Sequence, residues 1–229
     1  MPSTRSVPAR NDLIEALPRK DRAHLLAGCE RVPLAFSEVI AEPGERIRYV
    51  YFPTEGFVSL LTPSASCTSL EVGLVGTEGM VGITLMLGVD TSPLRASVQG
   101  PGSALRMDAA PFLREIAGSH ALQRALDRYL YVSMEQLART AACAHFHSLE
   151  ERLARWLLMT HDRAHADEFH LTHELLALML GVRRVGVTKA AGGLQRRKLI
   201  RYRRGNITIL ARSGLEGAAC GCHRSAQSV

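Results

Sequence analysis

Between Arg183 and Arg204 the sequence carries nine Arg or Lys residues and no Asp or Glu. Cationic side chains at this density pair with phosphate, and arginine also has the forked geometry that reads guanine O6 and N7. The stretch, RRVGVTKAAGGLQRRKLIRYRR, follows directly on LTHELLALMLGV. A short helix, a glycine turn and a basic second helix form an arrangement that delivers side chains into a DNA groove. Leu175, Leu176, Met179 and Leu180 make an inward face for the first helix, with small Ala177 at the crossing and Gly181 at the turn. Val182, Val187 and Leu194 hold the second helix inward, which leaves Arg183, Arg184, Thr188 and Lys189 facing out. RYRRGNITIL alternates around Arg204-Gly205-Asn206, a hairpin signal that reads as a basic wing on the phosphate backbone. Its phosphate contacts would be Arg201, Arg203 and Arg204, and Thr172, which caps the first helix, joins the DNA-binding set. Arg196, Arg197 and Lys198 close the second helix. Gly186, Gly192 and Gly193 each cost up to ~1 kcal/mol relative to alanine within a helix, so bound DNA is expected to supply part of that helix's stability. A solvated basic face on an unrelated domain would explain the charge but not this succession of elements.

Other residues could do chemistry, with weaker patterns. Cys220, Cys222 and His223 form a CxCH cluster that reads first as exposed thiols on a disordered tail, with a redox or metal role as the minority reading. His161 and His165 have the four-residue spacing of helical metal ligands but lie in a polar, loop-like stretch. Cys67, His120, His145 and His147 are possible axial ligands for a haem in the β region or the long helix, and no stronger pattern supports one. No Ser/His/Asp set, phosphate loop or carboxylate pair stands out. The reading is therefore a protein that is not an enzyme, with no cofactor and no metal.

The remainder of the chain must position these groups. Of the 229 residues, those from 148 on hold 14 basic and 7 acidic side chains, and those before hold 14 and 15. A polyanion-binding module is thus joined to a near-neutral body. No apolar run is long enough for a bilayer, and MPSTRSVPARNDLIEAL lacks the apolar core of a signal peptide, so a cytoplasmic protein without membrane contact is expected. The five cysteines (29, 67, 143, 220, 222) form no disulfide framework, as suits a reducing compartment. From about Asp21 to Met107, short apolar runs separated by turn signals predict a small β sandwich or barrel. After Ala109, Leu122, Leu126, Leu130, Met134, Leu137 and Ala141 mark one face of a long helix. That stripe either packs on its own β domain or, as its length and narrowness favour, forms a dimer seam. Ser148 with Glu151 is a capping box for the next helix, which is expected to fray in HDRAHADEFH.

Over nearly its whole length the sequence resembles the Crp/Fnr family of bacterial transcription regulators. The resemblance rests on the order of these elements, on SLEERLARWLL at the domain junction and on LALMLGVRRVGVTKAAGGLQRRKLI. It implies an α+β fold: a cyclic-nucleotide-binding-like β-roll with flanking helices over 1–118, a long dimerisation helix over 119–147, and a winged helix-turn-helix over 148–229. It further implies a homodimer, allosterically controlled through the roll, that reads a two-fold-symmetric site on double-stranded DNA, with RNA polymerase as a partner. Base reading would fall on Arg184, Val185 and Lys189, with Arg183 beside them. Val185 stands where the family commonly has an acidic residue.

The same resemblance places an effector pocket at Gly82, Ile83, Arg95 and Ala96. Ile83 replaces the carboxylate that holds a ribose, and Ala96 replaces the serine beside the phosphate arginine. Unpaired ribose hydroxyls would cost about 1–3 kcal/mol, so cyclic AMP is not the expected effector and its identity stays open. An iron–sulfur cluster of the family's N-terminal type is not expected, since only Cys29 is available. The alternative function is a small-molecule-sensing module that regulates a protein partner.

Overall fold

The structure, a computed structural model, describes residues 10–62 and 69–223. Cys67 and the His223 side chain, both weighed above as ligands, lie outside the described residues. The chain groups into two compact units. One takes the chain up to Ser59 and again over Val75–Tyr131; the other takes Leu60–Leu74 and the chain from Val132 on.

The first unit begins with two short helices, α1 (Asp12–Glu15) and α2 (Arg19–Ala27). Strands β1 (Glu30–Leu34), β2 (Val39–Ala41), β3 (Tyr49–Thr62), β4 (Leu70–Val75) and β5 (Arg95–Asp108) follow. They form a five-stranded sheet in the order β1-β5-β3-β4, with β2 also on β5. β1 and β5 are antiparallel, pairing Glu30 with Arg106 through Leu34 with Gly102. α3 (Ala109–Gly118) and α4 (His120–Phe146) come next. The unit's core joins Val50 and Phe52 of β3 to Phe112, Leu122 and Leu126, with Phe52 and Phe112 edge-to-face at 6.1 Å. Buried Asn11 ties the start of the unit down: its amide donates to the carbonyls of Pro53 (2.9 Å) and Gly79 (2.8 Å), and its Oδ1 caps α1. Such a satisfied buried amide favours one arrangement of the loops it bridges.

The second unit holds α5 (Leu149–Ala164), β6 (Glu168–His170), α6 (His173–Leu180), α7 (Arg184–Arg196), β7 (Ile200–Arg203), β8 (Asn206–Ile209) and α8 (Arg212–Ala218). β6, β8 and β7 make a three-stranded antiparallel sheet. Leu153, Leu157 and Leu158 of α5 and Leu176 of α6 are fully buried with Val187, Ala191 and Leu194 of α7 and Leu215 of α8. The β3–β4 hairpin end contributes Leu61 to this core, and Glu71, buried on β4, accepts a 2.6 Å bond from Trp156 Nε1.

Three expectations need correction. Asp21 lies in α2, not in the β region, because the charged RKDRAHLLA run shows only a weak apolar face in sequence. The Ser148–Glu151 capping box is present, but α5 does not fray at His161. It runs to Ala164, held by the ion pair of Arg212 with Asp162 (2.6 Å), and Glu168–His170 is a strand rather than loop. Leu122 and Leu126 are buried in the first unit's own core and are not available to a second copy. Two of the three α7 glycines fit tightly against α5: a Cβ at Gly186 would sit 2.9 Å from Leu149 Cδ2, and one at Gly193 2.0 Å from Glu150 Oε2. Both neighbours are the ends of flexible side chains, so α7 lies close to α5 at Gly186 and Gly193 without backbone contact there. Around Gly192 a Cβ would meet only Arg196, at 3.6 Å.

Candidate nucleic-acid interface

The two helices of the basic segment are set by local chemistry. Thr172 Oγ1 accepts from Leu175 N–H at 3.1 Å and starts α6. Gly181 ends it in the left-handed region (φ 62°), where glycine avoids the cost other residues carry. α7 begins at Arg184 with no side-chain cap from Arg183, whose carbonyl accepts the Gly186 N–H at 2.9 Å. Val187, Ala190, Ala191 and Leu194 turn inward, while Arg183, Arg184, Val185, Thr188 and Lys189 are on the outward side. Val185 is 79% exposed, an apolar side chain with no intramolecular use.

Two of the outward residues have partners on α6. Arg184 Nε lies 3.0 Å from Glu174 Oε1, both side chains being well exposed. Thr188 Oγ1 is 3.0 Å from His173 Nδ1 and donates to the Arg184 carbonyl at 3.2 Å. His173 stacks on Tyr202 at 4.2 Å between ring centroids, joining α6 to β7. Burial, and then the nearby Arg184 charge, push the His173 pKa below the ordinary histidine value. The fold therefore favours the neutral imidazole. Its contribution is present above about pH 6.5 and is lost as pH falls through the lowered folded value. Denaturant unfolding from pH 7.5 to pH 5 should show wild type losing more stability than His173→Gln; equal losses would remove His173 from this account.

The hairpin turns through Arg204 (φ 50°) and Gly205 (φ 83°), two successive positive-φ residues as a two-residue I′ turn requires. Arg201, Arg203 and Arg204 are exposed on it, and with Glu168, Asn206 and Thr208 they line a shallow open recess. Arg197, just beyond α7, pairs with Glu150 of α5 at 3.1 Å.

The other candidate residues separate. In the first unit, Gly82 is left-handed (φ 95°) and Ile83 opens a 3-10 turn. Arg95 is exposed and paired with Glu42 at 2.9 Å, and Ala96 is buried. On α4, Leu130 is half-buried, whereas Met134 (61%), Leu137 (43%) and Ala141 are exposed. His161 has Asp167 at 2.8 Å on Nε2 and Arg212 at 2.5 Å on Nδ1, so both ring nitrogens are engaged, and His165 is the left-handed cap of α5. Cys220 and Cys222, by contrast, come together with Cys143 and His147 of the second unit. The sequence pointed to Cys220 and Cys222 but missed their partners, whose one local signal is the i, i+4 spacing of Cys143 and His147.

Residues 151–218 match the Crp-like helix-turn-helix domain family. No curated protein matches the chain by sequence. Among solved structures, the chain is similar to the c-di-GMP-responsive global regulator CLP of Xanthomonas campestris (TM-score 0.70, 17% identity, 84% of this chain and 99% of that one). It is similar to FixK2 of Bradyrhizobium japonicum (0.71, 16%, 84% and 98%) and to a CRP/FNR-family transcriptional regulator of Thermus thermophilus (0.67, 24%, 86% and 99%). Among the described residues no helix is long and apolar enough to cross a membrane. The chain thus carries a Crp-like helix-turn-helix domain at residues 151–218 and has the fold of these solved structures.

Proposed function

We propose that this protein is a Crp/Fnr-type DNA-binding transcription regulator, acting as a homodimer in which α7 of each copy enters the major groove at one half of a two-fold-symmetric site. The observation that carries this reading is the first turns of α7. Arg184, Val185, Thr188 and Lys189 stand outward there on a helix whose opposite face is buried. Arg184 suits bidentate contact with guanine, and exposed Val185 suits a thymine methyl group. Arg183 and Lys189 flank them, while Arg201, Arg203, Arg204 and the free hydroxyl hydrogen of Thr172 address phosphates. Arg184→Ala is expected to cost about 1–3 kcal/mol at one base position and to relax preference there. Arg203→Ala should weaken binding to all sequences alike and reduce the salt slope by about one unit. Competition binding against a panel of single-base variants, at several salt concentrations, separates the two; equal profiles would refute the division of labour.

The dimer seam is the exposed face of α4 around Met134, Leu137 and Ala141, and the effector domain is the β-roll. Ile83 and Ala96, in place of a carboxylate and a serine, support an effector other than cyclic AMP. RNA polymerase is the partner through which a bound dimer would act on transcription. Selection of sequences from a random duplex pool tests the whole reading, because only a symmetric reading dimer yields a two-fold-symmetric consensus.

A further inference from the structure

We propose that Cys143, His147, Cys220 and Cys222 form a closed site for a single tetrahedral metal ion, zinc by its ligand chemistry. Cys143 and His147 lie one turn apart at the end of α4, and Cys220 and Cys222 lie just beyond α8, the latter in the 3-10 turn Gly221–His223. Their ligand atoms all fall within 4.8 Å of one another. Cys143 Sγ is 3.4 Å from Cys220 Sγ, and Cys222 Sγ is 3.8 Å from His147 Nδ1. Zinc–sulfur bonds of ~2.3 Å and zinc–nitrogen bonds of ~2.0 Å at the tetrahedral angle put ligand atoms about 3.5–3.8 Å apart. One ion therefore joins these four atoms with small shifts of the wider pairs. A disulfide between Cys143 and Cys220 would require the sulfurs to close to ~2.05 Å.

The donor set also selects the ion. Three thiolates and one imidazole are soft to borderline ligands that suit zinc and exclude magnesium or calcium. Cys143 and Cys220 are 3% and 5% exposed, and the remaining two ligands are half-buried, so four protein ligands close the coordination shell and leave no position for a substrate. On binding, each cysteine gives up its thiol proton to solvent, and three thiolates with one divalent ion leave a net charge of −1. Buried Arg155 supplies the compensating charge. Its field acts on Cys222, and its Nε has no hydrogen-bond partner among the described residues. The ion would fasten the chain beyond α8 to the last turns of α4, so the end of the DNA-binding domain would be anchored by metal rather than by packing alone.

The test uses the full-length protein, purified under reducing conditions, loaded with zinc and freed of excess by gel filtration. Metal analysis should find one zinc per chain, and cobalt substitution should give the thiolate charge-transfer and strong visible bands of a tetrahedral site. The double variant C220S/C222S should lose both. Because that variant could fold poorly, His147→Cys serves as the second: it should keep one zinc per chain and shift the cobalt spectrum toward four sulfur ligands. Substoichiometric zinc in wild type, a cobalt spectrum without thiolate charge transfer, or a Cys143–Cys220 disulfide in protein kept reduced would each overturn the site.

Discussion

Replacing Leu137 by aspartate is expected to turn the proposed dimer into a monomer and to lower affinity for a two-fold-symmetric site by about 100-fold or more. The physical reason lies on α4. Leu137, Met134, Tyr131 and Phe146 are all large, apolar and exposed, although the helix they stand on is long and regular. A leucine buried at an interface contributes about 1.5–3 kcal/mol, and a two-fold axis makes each substitution act twice, here with opposed carboxylates. A single reading head then retains little beyond non-specific affinity, roughly 10⁻⁴–10⁻⁶ M against 10⁻⁸ M or tighter for specific dimers. Because Leu137 has no place in either core, circular dichroism should not change. Sedimentation and DNA titration together check this; a variant that remains dimeric would move the seam off this face.

The second large effect concerns stability. Gly56 lies within β3 at φ +76°, and a Cβ there would sit 2.2 Å from Gly100 O and 2.7 Å from Pro101 O of β5. The reciprocal position is equally tight, since a Cβ at Gly102 would lie 2.2 Å from Glu55 O. These contacts are backbone atoms of long strands, which cannot rotate aside. Gly56→Ala combines about 1–2 kcal/mol of left-handed strain with about 1–3 kcal/mol of overpacking. The transition of the first unit should fall by roughly 5–15 °C. Gly44→Ala is the control, because Gly44 has a similar φ (+80°) with nothing near its absent Cβ. If both variants lost the same stability, the crossing of the two strands would not be the cause.

What was legible in the sequence follows from the range of the interactions. The Ser148–Glu151 capping box, the Thr172 cap, the Gly181 turn and the Arg204-Gly205 hairpin are each completed within a few residues. Their side-chain chemistry is therefore visible in one short window. The Leu122–Ala141 stripe marked a buried face correctly over its first turns, but periodicity does not say what covers it. Leu122 and Leu126 found their own core and Leu137 did not. The closeness of Gly186 and Gly193 to α5 could not be read from α7 alone, because the neighbours, Leu149 and Glu150, stand on another helix. The cysteine grouping was hidden for the same reason: Cys143 and Cys220 are 77 residues apart and meet only once α5 to α8 have packed.

In the proposed complex two copies of α7 read DNA together. Selection from a random duplex pool with wild-type protein and with Arg184→Ala tests this most directly. The expected result is a two-fold-symmetric consensus with half-sites about one helical turn apart, in which the variant loses preference at one position of each half. A consensus without symmetry, or one unaltered by Arg184→Ala, would contradict it.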